Sequence, residues 1–209
     1  MKPTAHARGT RLVAAAALTA ALVTTPTVAT LTTAPLIPVA GAACPDVEVV
    51  FARGRLEPPG VGQIGDALVN ALRARTSLSV GVYGVNYPAD LDAASGADDM
   101  RAHVQSMANS CPNTRLVLGG YSLGATAADL MARGGVSKNA DPRIAAIALF
   151  GNAGKRLGSP RAFSGRTIDQ CADGDPICGR GFNWDSHLQP SYLSSGLVDQ
   201  AAGFIAGKL

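Results

Sequence analysis

Ser122 is flanked by glycines two positions before and two after it, in Gly119-Gly120-Tyr121-Ser122-Leu123-Gly124-Ala125. The run before it, 115–119, reads as a short buried strand, and the run after it, 125–133, as an Ala-rich helix stopped by Gly134-Gly135. A serine at a sharp strand-to-helix turn holds its hydroxyl clear of the sheet, and glycines on either side remove side chains that would collide there. The helix start beneath it offers N–H groups and a positive dipole end to a developing oxyanion. In a chain with 24 glycines the bare Gly-x-Ser-x-Gly pattern carries little, and the strand–helix setting is what gives it weight. The chemistry implied is nucleophilic attack by the Ser122 hydroxyl.

A hydroxyl is a weak nucleophile near neutral pH and needs an adjacent general base. Beyond the amino-terminal segment the chain has two histidines. His103 falls within a helical pattern between Arg101 and Gln105 and is expected to be a solvated helix residue. His187 lies in an irregular stretch ahead of the last helix, where loops carry functional groups. A base also needs an orienting carboxylate. Asp175 lies in Cys171-Ala172-Asp173-Gly174-Asp175-Pro176-Ile177-Cys178, and a disulfide across that octapeptide would hold it still. Asp173 and Asp185 are rivals for the role. The order Ser122, Asp175, His187 is the chain order of the α/β-hydrolase type of triad.

The elements that must position these groups alternate between strand-like and helix-like patterns. Strands are expected at 47–52, 79–87, 115–119 and 144–150, and helices at 62–75, 98–109, 125–133 and 193–209. Near-continuous apolar strands alternating with helices indicate an α/β sandwich with a mostly parallel sheet. The long Gly/Ser/Pro-rich stretch 151–190 reads as irregular. A stretch of that length is usually functional or disordered, and its two cysteines argue against disorder.

The composition excludes several classes. Charged residues are 16% and hydrophobic residues 47% of the 209, which rules out a disordered polyelectrolyte, a coiled coil or a collagen-like chain. The net charge of +3 would suit a polyanionic partner, but its placement removes that reading. Residues 1–42 hold Lys2, Arg8 and Arg11 and no acidic residue. An apolar run of 12 residues, 12–23, follows, too short for the roughly 20 needed to span a bilayer. Ala40-Gly41-Ala42-Ala43 closes the segment with small residues. This is the pattern of a cleaved secretory signal peptide over 1–42, cut after Ala42 or Ala43, with the domain over 43–209. Pro26, Pro35 and Pro38 count against a single retained helix, and Gly41-Ala42-Ala43 lacks the large aliphatic residue expected before a lipid-anchored Cys44. Removing Lys2, Arg8 and Arg11 from 18 basic residues leaves 15 against 15 acidic ones, so the exported domain is formally neutral. Electrostatic steering to nucleic acid has no support.

Four cysteines, Cys44, Cys111, Cys171 and Cys178, suit two disulfides in an oxidising compartment. Cys171 and Cys178 lie seven apart in a turn-rich stretch and are expected to pair locally, which leaves Cys44 with Cys111. A zinc site is the weaker alternative, since no Cys-x-x-Cys is present and only His103 and His187 could assist.

Four features stand together: Phe51-Ala52-Arg53-Gly54 at the end of the first strand, Gly119-Gly120-Tyr121-Ser122-x-Gly124-Ala125, Cys171-x-x-Gly174-Asp175-x-x-Cys178, and His187 before the last helix. In this combination the sequence resembles the cutinases, small secreted serine esterases of fungi and actinobacteria. The resemblance runs from Cys44 to Leu209, and the signal length and Ala/Thr-rich composition look more like the mycobacterial branch. It implies a small lidless α/β hydrolase, a three-layer α/β/α sandwich with a central mostly parallel sheet. It implies Ser122 as nucleophile, Asp175 as acid and His187 as base, an oxyanion hole from the N–H groups of Leu123 and Arg55, and the disulfides Cys44–Cys111 and Cys171–Cys178. Two positions depart from the family pattern. Many cutinases carry Gln where this chain has Leu123, and a small hydroxyl residue where it has Arg55. The backbone donors survive both changes and a side-chain donor does not. Loss of one oxyanion donor costs about 2.7–4 kcal/mol, which points to lower turnover.

The expected function is hydrolysis of short- to medium-chain carboxylic esters, lipid-like or polyester, through an acyl-enzyme. No metal or organic cofactor is required. The protein is expected to be an extracellular or cell-envelope monomer with at most interfacial contact with lipid. Acyl transfer, thioester hydrolysis and phospholipid hydrolysis use the same triad. A non-catalytic secreted binding protein is the reading from another class, favoured by the departures at Arg55 and Leu123 and opposed by the intact Ser122, Asp175 and His187.

Overall fold

The computed structural model describes residues 43–209, so the expected signal segment over 1–42 lies outside the described residues. Five strands form one sheet in the order β2-β1-β3-β4-β5. They are β1 (Val47–Ala52), β2 (Val80–Gly84), β3 (Arg115–Tyr121), β4 (Ile144–Phe150) and β5 (Thr167–Gln170). Every pairing is parallel, so the sheet is wholly rather than mostly parallel. Among the described residues the five α-helices are α1 (Gly62–Arg73), α2 (Ala93–Ser110), α3 (Leu123–Gly134), α4 (Gln189–Ser194) and α5 (Leu197–Ala206).

Alternation along the buried strands sorts the side chains to two cores. Val47, Val49 and Phe51 of β1 face α1 and α5 with Ile64, Leu68, Leu72, Ala201 and Ile205. Val50 and Ala52 face α2 and α3 with Met100, Val104, Ala128 and Met131. This makes three layers, helices on both faces of the sheet, as a parallel sheet requires. Each fully buried Val, Leu or Ile contributes about 1.5–3 kcal/mol. Central strands β1 and β3 are therefore the stable platform, and the site sits at their carboxyl ends.

Element boundaries differ from the sequence expectation where a side chain or a tertiary partner decides. Helix α2 begins at Ala93 because the Asp92 carboxylate accepts from the N–H groups of Ala94 and Ser95 at 2.9 and 3.2 Å. The expected closing helix over 193–209 is two helices, parted at Gly196, whose φ of 77° lies in the left-handed region. The stretch 151–190 is not wholly irregular. It holds β5, whose four residues are only half-buried at the sheet edge, and short 3-10 turns. Disulfides join Cys44 to Cys111 and Cys171 to Cys178. The first ties the start of the described chain to the end of α2, and the second closes the loop that carries Asp175. Among the described residues no helix is long and apolar enough to cross a membrane.

Candidate active site

The turn at Ser122 joins β3 directly to α3, and Ser122 sits at φ 54°, ψ −115°, a conformation that a residue with a Cβ rarely adopts. The two flanking glycines are explained by what a Cβ would strike. At Gly120 it would run into the backbone of Gly124 and Ala125, and at Gly124 into the carbonyl oxygens of Ala52 and Arg53. The strain is held by β-ladder pairing up to Tyr121 and by the Ser122 N–H, which donates to the Phe150 carbonyl at 2.8 Å.

The three groups expected to act together are in contact. Ser122 Oγ lies 2.8 Å from His187 Nε2, and His187 Nδ1 lies 2.7 Å from Asp175 Oδ2. A carboxylate can only accept, so Nδ1 carries the ring proton and Nε2 is left to accept from the serine hydroxyl. The Asp175 side chain is fully buried and that of His187 is 12% exposed. The other Asp175 oxygen accepts from the Ile177 N–H at 2.7 Å and the Cys178 N–H at 3.3 Å, inside the loop closed by the Cys171–Cys178 bond. Burial pushes the Asp175 carboxyl up, but the hydroxyl of Tyr192, the imidazole of His187 and the Ile177 N–H outweigh it and hold it below the usual carboxylate range. The rivals Asp173 and Asp185 are exposed and make no bond to His187.

Two tyrosines complete the support of the histidine, and sequence reading did not find them. The Tyr192 hydroxyl donates to Asp175 Oδ2 at 2.6 Å, from a side chain that is fully buried. Burial, and then that carboxylate, push its own ionisation far up, so it stays a donor. Tyr121 donates to the His187 carbonyl and its ring stacks on the imidazole at 5.8 Å between centroids. Behind the imidazole, a Cβ at Gly151 would stand 2.9 Å from His187 Cε1, so glycine lets β4 end against the ring. Tyr121 could have been suspected from its place beside Ser122. Tyr192 lies 17 residues from Asp175 with no local pattern to mark it.

Against the start of α3, where a Cβ at Gly124 would meet the Ala52 and Arg53 carbonyls, the Phe51-Ala52-Arg53-Gly54 end of β1 leads into a tight turn. The buried Arg53 guanidinium donates to the carbonyls of Glu57, Val85 and Tyr87 at 2.8, 3.3 and 2.7 Å, and lies over the Tyr87 ring at 5.1 Å. The Tyr87 hydroxyl returns a bond to the Arg53 carbonyl at 2.5 Å. Gly54 is required there, because a Cβ would meet the Tyr121 ring at 2.6 Å. The N–H groups of Arg55 and Leu123 have no acceptor among the hydrogen bonds of the described residues. Leu123 opens α3, where the first N–H groups lack intrahelical partners. The Arg55 side chain is exposed and forms no ion pair among the described residues.

His103 is not the solvated residue expected of its helix. Its Nε2 lies 2.8 Å from Glu48 Oε2, and its ring stacks on Tyr83 at 3.5 Å, interplanar 5°. Glu48 is buried on β1, so its carboxylate needs that partner. Of the two histidines, this one serves the packing of α2 on the sheet, and it lies apart from Ser122. The grouping of Cys171, Asp175 and Cys178 offers no metal site, since both sulfurs are bonded to each other.

An all-parallel sheet flanked by helices, with a serine at the strand-to-helix turn after its third strand in sequence, is the α/β-hydrolase fold. The Cutinase family model matches residues 43–209. The chain is 49% identical to the probable carboxylesterase Culp2 of Mycobacterium tuberculosis, covering 94% of each chain. It is 46% identical to the phospholipase Culp4 of the same species, covering 97% of this chain and 92% of that one. A solved Trichoderma reesei cutinase bound to a phosphonate inhibitor superposes with a TM-score of 0.68 at 34% identity, over 79% of this chain and 77% of that one. An acetylxylan esterase shares the fold, with a TM-score of 0.70 at 23% identity over 79% and 99%. The chain belongs to the cutinase family and is a carboxylic ester hydrolase.

Proposed function

We propose that this protein hydrolyses carboxylic esters by way of an acyl-enzyme on Ser122. His187 Nε2 takes the proton of the Ser122 hydroxyl as its oxygen attacks the ester carbonyl carbon. Asp175 holds the imidazole in the tautomer this requires and stabilises the imidazolium that forms. The N–H groups of Leu123 and Arg55 receive the oxyanion. His187 then gives its proton to the leaving alcohol as the tetrahedral intermediate collapses. Water, deprotonated by the same imidazole, attacks the acyl-enzyme and releases the acid and Ser122. The single observation that carries this reading is the unbroken contact from Ser122 through His187 to Asp175 at 2.8 and 2.7 Å.

The substrates we infer are uncharged esters of short to medium acyl chain, presented in solution or at a lipid surface. The segments that bear Arg55 and His187 expose Leu56, Phe182, Trp184 and Leu188, and Leu91 follows the Ala89 carbonyl to which Leu56 is bonded. Phe182 is 94% exposed, an apolar group that gains by contact with acyl chains. The likeness to a phospholipase among the relatives favours phospholipid as a second substrate class with the same triad. We further infer export by cleavage after residue 42 or 43, consistent with two disulfides that persist only in an oxidising compartment. The test is an acyl-chain-length profile on the purified 43–209 domain, with p-nitrophenyl esters, a thioester and a phospholipid, beside Ser122→Ala. Loss of all turnover in the variant is expected. Retained p-nitrophenyl butyrate hydrolysis would sink the assignment.

A further inference from the structure

We propose that Glu57 is a positioning residue, clamping the 54–57 turn so that the Arg55 N–H stays aimed at the reacting carbonyl oxygen. The inference rests on the reading of Ser122 as nucleophile and Arg55 N–H as oxyanion donor. Its basis is a convergence of donors on one carboxylate. Glu57 Oε2 accepts from the Gly54 N–H at 2.5 Å. Glu57 Oε1 accepts from the Gln63 N–H in the first turn of α1 at 3.1 Å, and from Gln189 Nε2 at 3.4 Å. Gln189 stands two residues after His187. One half-buried side chain thus joins the turn before the site, the start of α1 and the segment that carries the imidazole.

The turn itself is closed from both ends by Glu57. Its N–H donates to the Gly54 carbonyl at 3.3 Å, its carboxylate takes the Gly54 N–H, and its own carbonyl accepts from Arg53 Nε at 2.8 Å. Leu56, held at φ 61°, donates its N–H to the Ala89 carbonyl at 2.8 Å. Every backbone N–H from Gly54 to Glu57 is then occupied except that of Arg55. The neighbourhood leaves room for this carboxylate and little else. A Cβ at Gly54 would come within 3.0 Å of Glu57 Oε2, and one at Gly62 would strike the carboxylate outright. An anion is what the site asks for. Three donors converge and no acceptor does, so a carboxamide would match one oxygen to them and turn its NH2 against another donor.

A purely structural role at the start of α1 would lower stability without a selective effect on the chemical step. Glu57→Gln keeps the shape and removes the charge, and Gly62→Ala keeps the charge and displaces it. Both are assayed on p-nitrophenyl butyrate beside the parent, with Tm measured and with a trifluoromethyl ketone, whose adduct with Ser122 carries an oxyanion. We expect kcat to fall about 10- to 100-fold in each, KM to stay within about threefold, and the ketone Ki to rise by about the factor lost in kcat/KM. A folded Glu57→Gln with kcat within about twofold of the parent overturns the proposal. So does a loss confined to KM, or a ketone Ki that stays put while kcat falls. If Ser122→Ala is active, the underlying reading has failed. If Ser122→Ala is dead and both other variants are normal, only the role of Glu57 has failed.

Discussion

Tyr192→Phe removes one hydroxyl from the deepest part of the site and tests how the Asp175 charge is maintained. The hydroxyl donates to Asp175 Oδ2 at 2.6 Å in a fully buried environment, and the Ala172 N–H donates to the same hydroxyl at 3.3 Å. A hydrogen bond to an ionised group is worth about 1.5–3 kcal/mol net. For a domain of this size each kcal/mol moves Tm by about 2–4 °C, so the variant should melt about 3–12 °C lower at pH 7. The pH dependence identifies the bond. The folded Asp175 carboxyl is held below the usual carboxylate range, so its contribution is present above the ordinary carboxylate pKa and is lost as pH falls through the folded value. The deficit of Tyr192→Phe should therefore be full at pH 7 and shrink toward acid pH, as the buried carboxyl gains its proton in the variant and then in the parent. Urea unfolding of both proteins at pH 7, 5, 4 and 3 reads it directly. A deficit as large at pH 3 as at pH 7 would mean that the hydroxyl acts through packing alone and not through the Asp175 charge.

Three further variants test the geometry. Replacing Cys44 and Cys111 together by Ala opens a closure of 67 residues, worth about 4 kcal/mol in the chain-entropy account, and should lower Tm with kcat nearly unchanged. Replacing Cys171 and Cys178 opens one of only 7 residues, worth about 2 kcal/mol, yet should depress kcat more, because that loop carries Asp175 and the two N–H groups that hold it. Equal effects on kcat from the two pairs would contradict this separation. Gly124→Ala should cost more than about 4 kcal/mol, since its Cβ would overlap the Ala52 carbonyl oxygen in the central strand. Soluble, active Gly124→Ala at the parental Tm would show that the turn yields where the structure says it cannot.

The candidate site residues Ser122, Asp175 and His187 are legible because each sits in a local pattern: a glycine-framed turn, a cysteine-framed loop, and a histidine in the segment before the last helix. The same holds for β1, β3 and β4, whose apolar runs need no knowledge of their neighbours. The sequence does not mark β5, because an edge strand of four half-buried residues carries no periodic signal, and its pairing with β4 is what makes it a strand. His103 departs from the sequence expectation for a similar reason. Its helix neighbours are polar, and the buried Glu48 that claims it lies 55 residues away.

Chain order and residue type are enough for the α/β class, the family resemblance, both cysteine pairs and the grouping of Ser122, Asp175 and His187, which the structure brings into contact. Those properties are written in spacings of a few residues, or in counts small enough to leave few pairings. The tertiary structure decided what surrounds them: Tyr192 on the carboxylate, Tyr121 on the imidazole, and Glu57 bridging the turn, α1 and Gln189. These contacts join segments up to 132 residues apart, set by how helices pack on the sheet. A tyrosine or glutamate has no local signature for such a role. Its function comes from the donors and acceptors that folding brings to it.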